Sequence, residues 1–146
     1  MLTITLLCSC TQSIVSDKKE SRIKTQGIAY LGIEATLKSV EDKGGKNFIF
    51  TLKNQNDYPV KLVFSSSLEY DYKIKNQEGN VVKQRSLYIA SVPKVKNITL
   101  KQAEELVYIE DYDQLIEGLP MNSYTVEFNS TAKSENISAA IDFEIK

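Results

Sequence analysis

From about residue 27 onward the chain alternates apolar and polar residues with period two, and this constrains its fold more than any other feature. Leu31, Ile33, Ala35 and Leu37 share one face of an extended chain, opposite Gly32, Glu34, Thr36 and Lys38. Phe48, Phe50 and Leu52 repeat the pattern against Ile49, Thr51 and Lys53, and Val60, Leu62 and Phe64 continue it. Tyr70, Tyr72 and Ile74 alternate with Asp71, Lys73 and Lys75, and Tyr124, Val126 and Phe128 with Thr125, Glu127 and Asn129. The last run sets Ile137, Ala139, Ile141, Phe143 and Ile145 against polar or small neighbours. Successive side chains of a strand point to opposite faces, so each run has one side for a core and one for water. Antiparallel sheets with one buried face meet that demand.

Turn chemistry separates the runs. Asp42-Lys43-Gly44-Gly45 divides the first two, and Asn54 to Asp57 with Pro59 divides the second from the third. There Asn54, Asn56 and Asp57 can bond their own backbone, and Pro59 fixes φ at the entry to the next strand. Gly79, in Asn76-Gln77-Glu78-Gly79-Asn80, can supply a positive φ. Short strands at this spacing argue for a sandwich rather than an α/β fold. Lys101 to Tyr108 is ambiguous, because its residues favour a helix while Leu106 to Ile109 favour a strand. Glu110-Asp111-Tyr112-Asp113 lacks the spacing and glycine of a calcium loop and reads as a solvated turn.

Composition then removes function classes. A chain of 146 residues suits one domain. It contains no histidine, which excludes Ser-His-Asp and Cys-His catalysis and every metal site that needs imidazole. The remaining bases are carboxylates and lysines scattered over strand faces, so neither an enzyme, a cofactor nor a metal is expected. A net charge of −1 provides no field for nucleic acid. The sequons at Asn97, Asn129 and Asn136 read as chance.

Both cysteines, Cys8 and Cys10, lie in the first ten residues. No other thiol or histidine could complete a site with them. Leu7-Cys8-Ser9-Cys10 resembles a bacterial lipobox, with an aliphatic residue at −3, a small one at −1, and Cys10 as the lipidated residue. The preceding apolar part is short and carries no basic residue. Residues 1–9 therefore read as a truncated lipoprotein signal, residues 10–27 as a polar tether, and residues 28–146 as the folded domain. This implies a lipid-anchored protein of the bacterial cell membrane or outer membrane, with a cytoplasmic protein as the alternative.

Taken in order, Asn47 to Phe128 resembles the BsuPI family, the domain of an intracellular proteinase inhibitor. Phe50 to Val60 matches the family's opening strand, Asn, polar turn and Pro-Val. Leu62 to Ser67 followed by Tyr70-Asp71-Tyr72 matches its Phe-small-small and Tyr-Asp-aromatic. Gly79 to Val82 with Ser86, then Leu119-Pro120 with Tyr124 to Val126, match its later turn and closing strand. The chain departs from the family at Lys83, where an aromatic is usual, at Gln102-Ala103, where Pro-Gly is usual, and at Met121 to Ser123. The resemblance implies an all-β, immunoglobulin-like antiparallel β-sandwich and places Lys101 to Tyr108 in a strand.

The resemblance also implies a protein partner, with a serine protease as the most specific form; the lipobox implies contact with a membrane through a lipid anchor only, and a monomer is expected. Leu87 to Asn97 is the candidate interaction segment, because it is long, apolar and stiffened by Pro93. Its expected binding residues are Tyr88, Val92, Pro93, Lys94, Val95 and Lys96. The same residues also suit an edge strand guarded by lysines. Asp71 is expected to hydrogen-bond a neighbouring loop rather than to touch a partner, and Ser65 to Ser67 to form a sharp connection. An accessory envelope module that binds a partner or polymer without inhibiting a protease is the competing reading.

Overall fold

The computed structural model describes residues 32–133 and 136–146, so Cys10, the lipobox and the tether lie outside the described residues. Among the described residues the chain forms β1 (Ile33–Asp42), β2 (Gly45–Asn54), β3 (Val60–Ser66), β4 (Tyr70–Lys75) and β5 (Val81–Gln84). A 3-10 turn, Arg85–Leu87, leads to β6 (Pro93–Leu100) and β7 (Glu105–Asp111). A short helix, α1 (Tyr112–Ile116), precedes β8 (Asn122–Ser130) and β9 (Ser138–Ile145). The strands pair as β1-β2-β7, as β3-β6, and as β5-β4-β8-β9, and every pairing is antiparallel. The all-β architecture expected from the alternation is the one formed.

The expected inward faces are also the buried ones. Phe48, Phe50 and Leu52 of β2 are fully buried, as are Leu37 of β1 and Phe128 of β8. The two larger sheets meet through aromatic rings: Phe50 lies 5.6 Å from Phe128, and Phe48 lies 5.5 Å from Phe143. Burying one such side chain contributes about 1.5–3 kcal/mol, so the aromatic seam is a main source of cohesion between the sheets. Tyr124 combines a buried ring with a hydroxyl that donates to the Pro120 carbonyl at 2.9 Å, a corner device of β-sandwiches. At the tip between β4 and β5, Gly79 takes φ +84° while the Asn76 side chain accepts from the amides of Glu78 and Asn80.

The segment Glu110 to Asp113 differs from the solvated turn expected. Glu110 and Asp111 end β7, and the Asp111 carboxylate caps α1 by accepting from the Gln114 amide at 2.9 Å. Burial of Leu115 fixes this helical turn, which carries the chain from one sheet to the other. The opposite end of α1 is capped by Lys83, whose Nζ donates to the carbonyls of Gln114, Leu115 and Glu117 at 3.1, 2.9 and 3.1 Å. A cation belongs at a helix C-terminus, where unpaired carbonyls concentrate negative charge. This gives Lys83 a physical role at a position where the resembled family carries an aromatic.

Consecutive ladders connect the three-stranded sheet to the β3–β6 pair. The β2–β7 ladder runs to Lys53 opposite Glu105, and the β3–β6 ladder resumes with Val60 opposite Leu100. Asn54 occupies the break and is fully buried. Its Nδ2 donates to the carbonyls of Leu100 (2.9 Å) and Tyr58 (2.8 Å), and its Oδ1 accepts from the Asn56 amide at 2.9 Å. Its backbone amide donates to the Glu104 carbonyl, and its carbonyl accepts from the Ala103 amide. Ala103 holds φ +62° in this turn, a left-handed conformation that costs an alanine about 1 kcal/mol and glycine almost nothing.

Replacing Asn54 would orphan buried backbone groups. Asn54→Ala is expected to lower the unfolding free energy by about 2–3 kcal/mol in urea titration. Asn54→Asp should cost at least as much, because a carboxylate cannot donate to two carbonyls. A loss below about 0.5 kcal/mol for Asn54→Ala would contradict the role given to this amide.

Candidate functional site: the Arg85 to Lys96 platform

The candidate interaction segment contains three structural pieces. Arg85–Leu87 is a 3-10 turn, residues 88–92 connect, and Pro93 to Lys96 belong to strand β6. Of the expected binding residues, Tyr88 lies in the connection and Val92 at its end, while Pro93, Lys94, Val95 and Lys96 stand on the strand. Sequence reasoning left loop and edge strand open, and the geometry places the boundary at Pro93.

Each foot of the segment is held by a carboxylate that also accepts from a tyrosine. At the first, Arg85 Nε donates to Glu110 at 2.8 Å, and the Tyr70 hydroxyl donates to the same oxygen at 2.5 Å. Arg85 also donates to the Tyr70 carbonyl at 3.1 Å and lies 4.1 Å from the centre of the Tyr70 ring. At the second foot, Lys96 pairs with Glu69, whose other oxygen accepts from the Tyr108 hydroxyl at 2.8 Å. The Tyr70 and Tyr108 rings touch, with centroids 4.4 Å apart, so the two clamps are joined.

Burial pushes the phenols of Tyr70 and Tyr108 far above the usual tyrosine range, and the hydrogen bonds to Glu110 and Glu69 push in the same direction. Tyr72 is raised to about 12, first by burial and then by the charge of Glu110. These phenols therefore remain protonated and able to donate at neutral pH. The Arg85–Glu110 pair is mostly shielded from water, so removing one partner leaves an uncompensated charge and is far more damaging than loss of a surface pair.

Further bonds hold the connection between the feet. Asp71 is buried, and its carboxylate accepts from the Ser86 and Tyr72 amides, each at 2.9 Å, and from Gln84 Nε2 at 2.8 Å. The loop contact expected of Asp71 is therefore made to the start of this segment. The amides of Tyr88 and Ile89 both donate to the Arg85 carbonyl, closing a tight knuckle. Of Ser65 to Ser67, expected to form a connection, Ser65 and Ser66 end β3 and only Ser67 turns the chain; its amide donates to the Val92 carbonyl at 3.0 Å, and its hydroxyl accepts from the Val92 amide at 3.1 Å.

Leu87, Tyr88 and Ile89 are consecutive apolar residues on this ordered knuckle, with exposures of 76, 69 and 43%. Val92 and Val95 are exposed as well. The residues named from the sequence are Tyr88 and Val92 to Lys96, without Leu87 or Ile89. Leu87 and Ile89 gain their place from the 3-10 turn, which the Ser-Leu-Tyr-Ile run does not announce. The anchors Glu69, Tyr108 and Glu110 were missed because they lie far from the segment in sequence, and Arg85 because along the chain it reads as a solvated charge.

Elsewhere an open groove of about 960 Å³ runs past Tyr112, Tyr124 and Phe143. Its apolar walls are mostly covered, since Tyr124 and Phe143 are buried and Lys46 lies 3.9 Å above the Tyr112 ring. No group of three or more metal-binding side chains is assembled among the described residues. Within those residues, no helix is long and apolar enough to cross a membrane.

Comparison with known proteins gives a family match over residues 33–135, to the family model described as BsuPI, intracellular proteinase inhibitor. The match extends beyond Asn47 to Phe128 at both ends and includes the whole clamped platform. A search of curated proteins finds no match. With most of its length covered, and with the ordered Asn54 turn, the Asp71 contact and the two-sheet core in place, this chain belongs to the BsuPI family of proteinase inhibitor domains.

Proposed function

We propose that this chain is a non-catalytic protein-binding module that inhibits a serine protease, with the Leu87–Ile89 knuckle as its principal contact. The observation that carries the reading is the combination of exposure and order: three adjacent apolar side chains face water on backbone held by the Arg85–Glu110 clamp, by the Ser86 amide on Asp71, and by the Tyr88 and Ile89 amides on the Arg85 carbonyl. A surface ordered before binding loses little conformational entropy on association, so more of the contact energy appears as affinity. Aromatic and aliphatic anchors of this kind are common centres of binding energy. Family membership supports a protease as the partner class.

The reading includes a cell-envelope location, with Cys10 lipidated and the polar tether carrying the domain away from the bilayer. The support is the Leu7 to Cys10 motif in the sequence. A single domain acting as a monomer suffices for this function.

Subtilisin-type serine proteases assayed with the full chain are expected to be slowed at micromolar concentration, and no slowing across a panel would overturn the inhibitor reading. Tyr88→Asp should weaken inhibition about tenfold or more without changing the melting temperature. Unchanged potency would remove the knuckle from the contact. Expressed in a bacterium, the chain should incorporate labelled palmitate, and Cys10→Ala should abolish the label. An unlabelled wild-type protein would contradict the anchor.

A further inference from the structure

Among the described residues, the outer edge of β6 is unpaired. Val63 of β3 uses its carbonyl to accept from the Lys133 amide at 2.8 Å, on the side away from β6. Val63 lies opposite Asn97, so this is the pair whose backbone groups turn away from one another. Asn97 and, two residues on, Thr99 thus aim their N–H and C=O groups off the outer edge. Both residues are exposed, and among the described residues no hydrogen bond reaches these groups. An edge with unpaired donors and acceptors is a template for another strand.

The β3–β6 pair itself carries only cationic charged side chains, while Glu104, just past it, accepts from the Lys101 amide at 2.7 Å. Tyr58 to Leu68 and Arg85 to Ala103, which contain the whole β3–β6 pair, hold Lys61, Arg85, Lys94, Lys96 and Lys101 without a single Asp or Glu. The chain as a whole carries a net charge of −1, so this is a local concentration of cations. Glu110 and Glu69, from outside the pair, engage Arg85 and Lys96. Lys61, Lys94 and Lys101 have no ion-pair partner among the described residues. A second copy is a poor occupant, because pairing β6 with itself would bring these cations together. An extended segment carrying carboxylates would satisfy both the backbone and the charge.

We propose that β6 docks an extended acidic segment of the partner protein as an added strand, paired to the backbone of Asn97 and Thr99 and flanked by Lys61, Lys94 and Lys101. This deepens the inhibitor reading, on which it rests for a protein partner, and assigns β6 a contact separate from the apolar knuckle.

The test uses the full chain and an acetylated, amidated hexapeptide, Glu-Thr-Val-Thr-Glu-Ser, followed by amide NMR and hydrogen exchange. At millimolar peptide the amides of Asn97 and Thr99 should shift and exchange more slowly, and added salt should weaken the effect. The same peptide with Lys in place of Glu should do neither. No perturbation of these amides, or equal perturbation by the Lys peptide, would overturn the proposal. Asn97→Pro, which deletes an outward donor while sparing the ladder to β3, should weaken the peptide effect about fivefold to tenfold, and Asn97→Ala should not. Peptide docking at β6 without inhibition of any protease would sustain the edge and sink the inhibitor reading. Inhibition by the wild type without peptide docking would do the reverse.

Discussion

Where β2 gives way to β3, the chain must leave one ladder and begin another without stranding backbone groups in the interior. Asn54 resolves this with one buried amide, which ties its own turn to the carbonyl of Leu100 at the end of β6. The backbone groups of the same residue hold the turn between β6 and β7. Together with the burial of Leu62, Phe64 and Leu100, that tie fixes the β3–β6 pair against the aromatic core. An apolar substitute could fill the volume but could not supply the three hydrogen bonds. The interaction surface and the core therefore depend on the same residue.

The platform is ordered from its ends. Two carboxylates, each shared between a cation and a tyrosine, hold Arg85 and Lys96, while Asp71 and Ser67 secure the chain between them. Burial of the tyrosine rings belongs to folding; their hydroxyl groups serve the platform. Folding energy thus supports a surface that is itself apolar and exposed, a combination that costs solubility and makes physical sense where a partner covers it. The knuckle and the edge of β6 differ in chemistry, one apolar and convex, the other polar and cationic.

Much of the fold was legible in the sequence because a half-buried strand advertises itself in every second residue. Phe48, Phe50 and Leu52, Tyr70 and Ile74, and Tyr124, Val126 and Phe128 all face the core as alternation requires. Asn54 and Gly79 were legible as turn residues, although the reach of Asn54 to Leu100, 46 residues away, was not. The helix α1 escaped because five residues are too few for a helical period, and its acidic cap resembles any polar turn. Lys83, Arg85, Glu69 and Glu110 look like solvated charges along the chain. Their roles arise only where β4, β5, β7 and α1 converge. Departures from the resembled family became intelligible in three dimensions: Lys83 caps α1, and Ala103 carries the left-handed turn that glycine takes without strain.

The account stands on the knuckle being ordered before any partner arrives. Backbone ¹⁵N relaxation of the free chain tests this directly, residue by residue from Leu87 to Val92. Order parameters near 0.85, matching those of the flanking strands, are the expected result. Values below about 0.6 across these residues would describe a flexible loop and contradict the account.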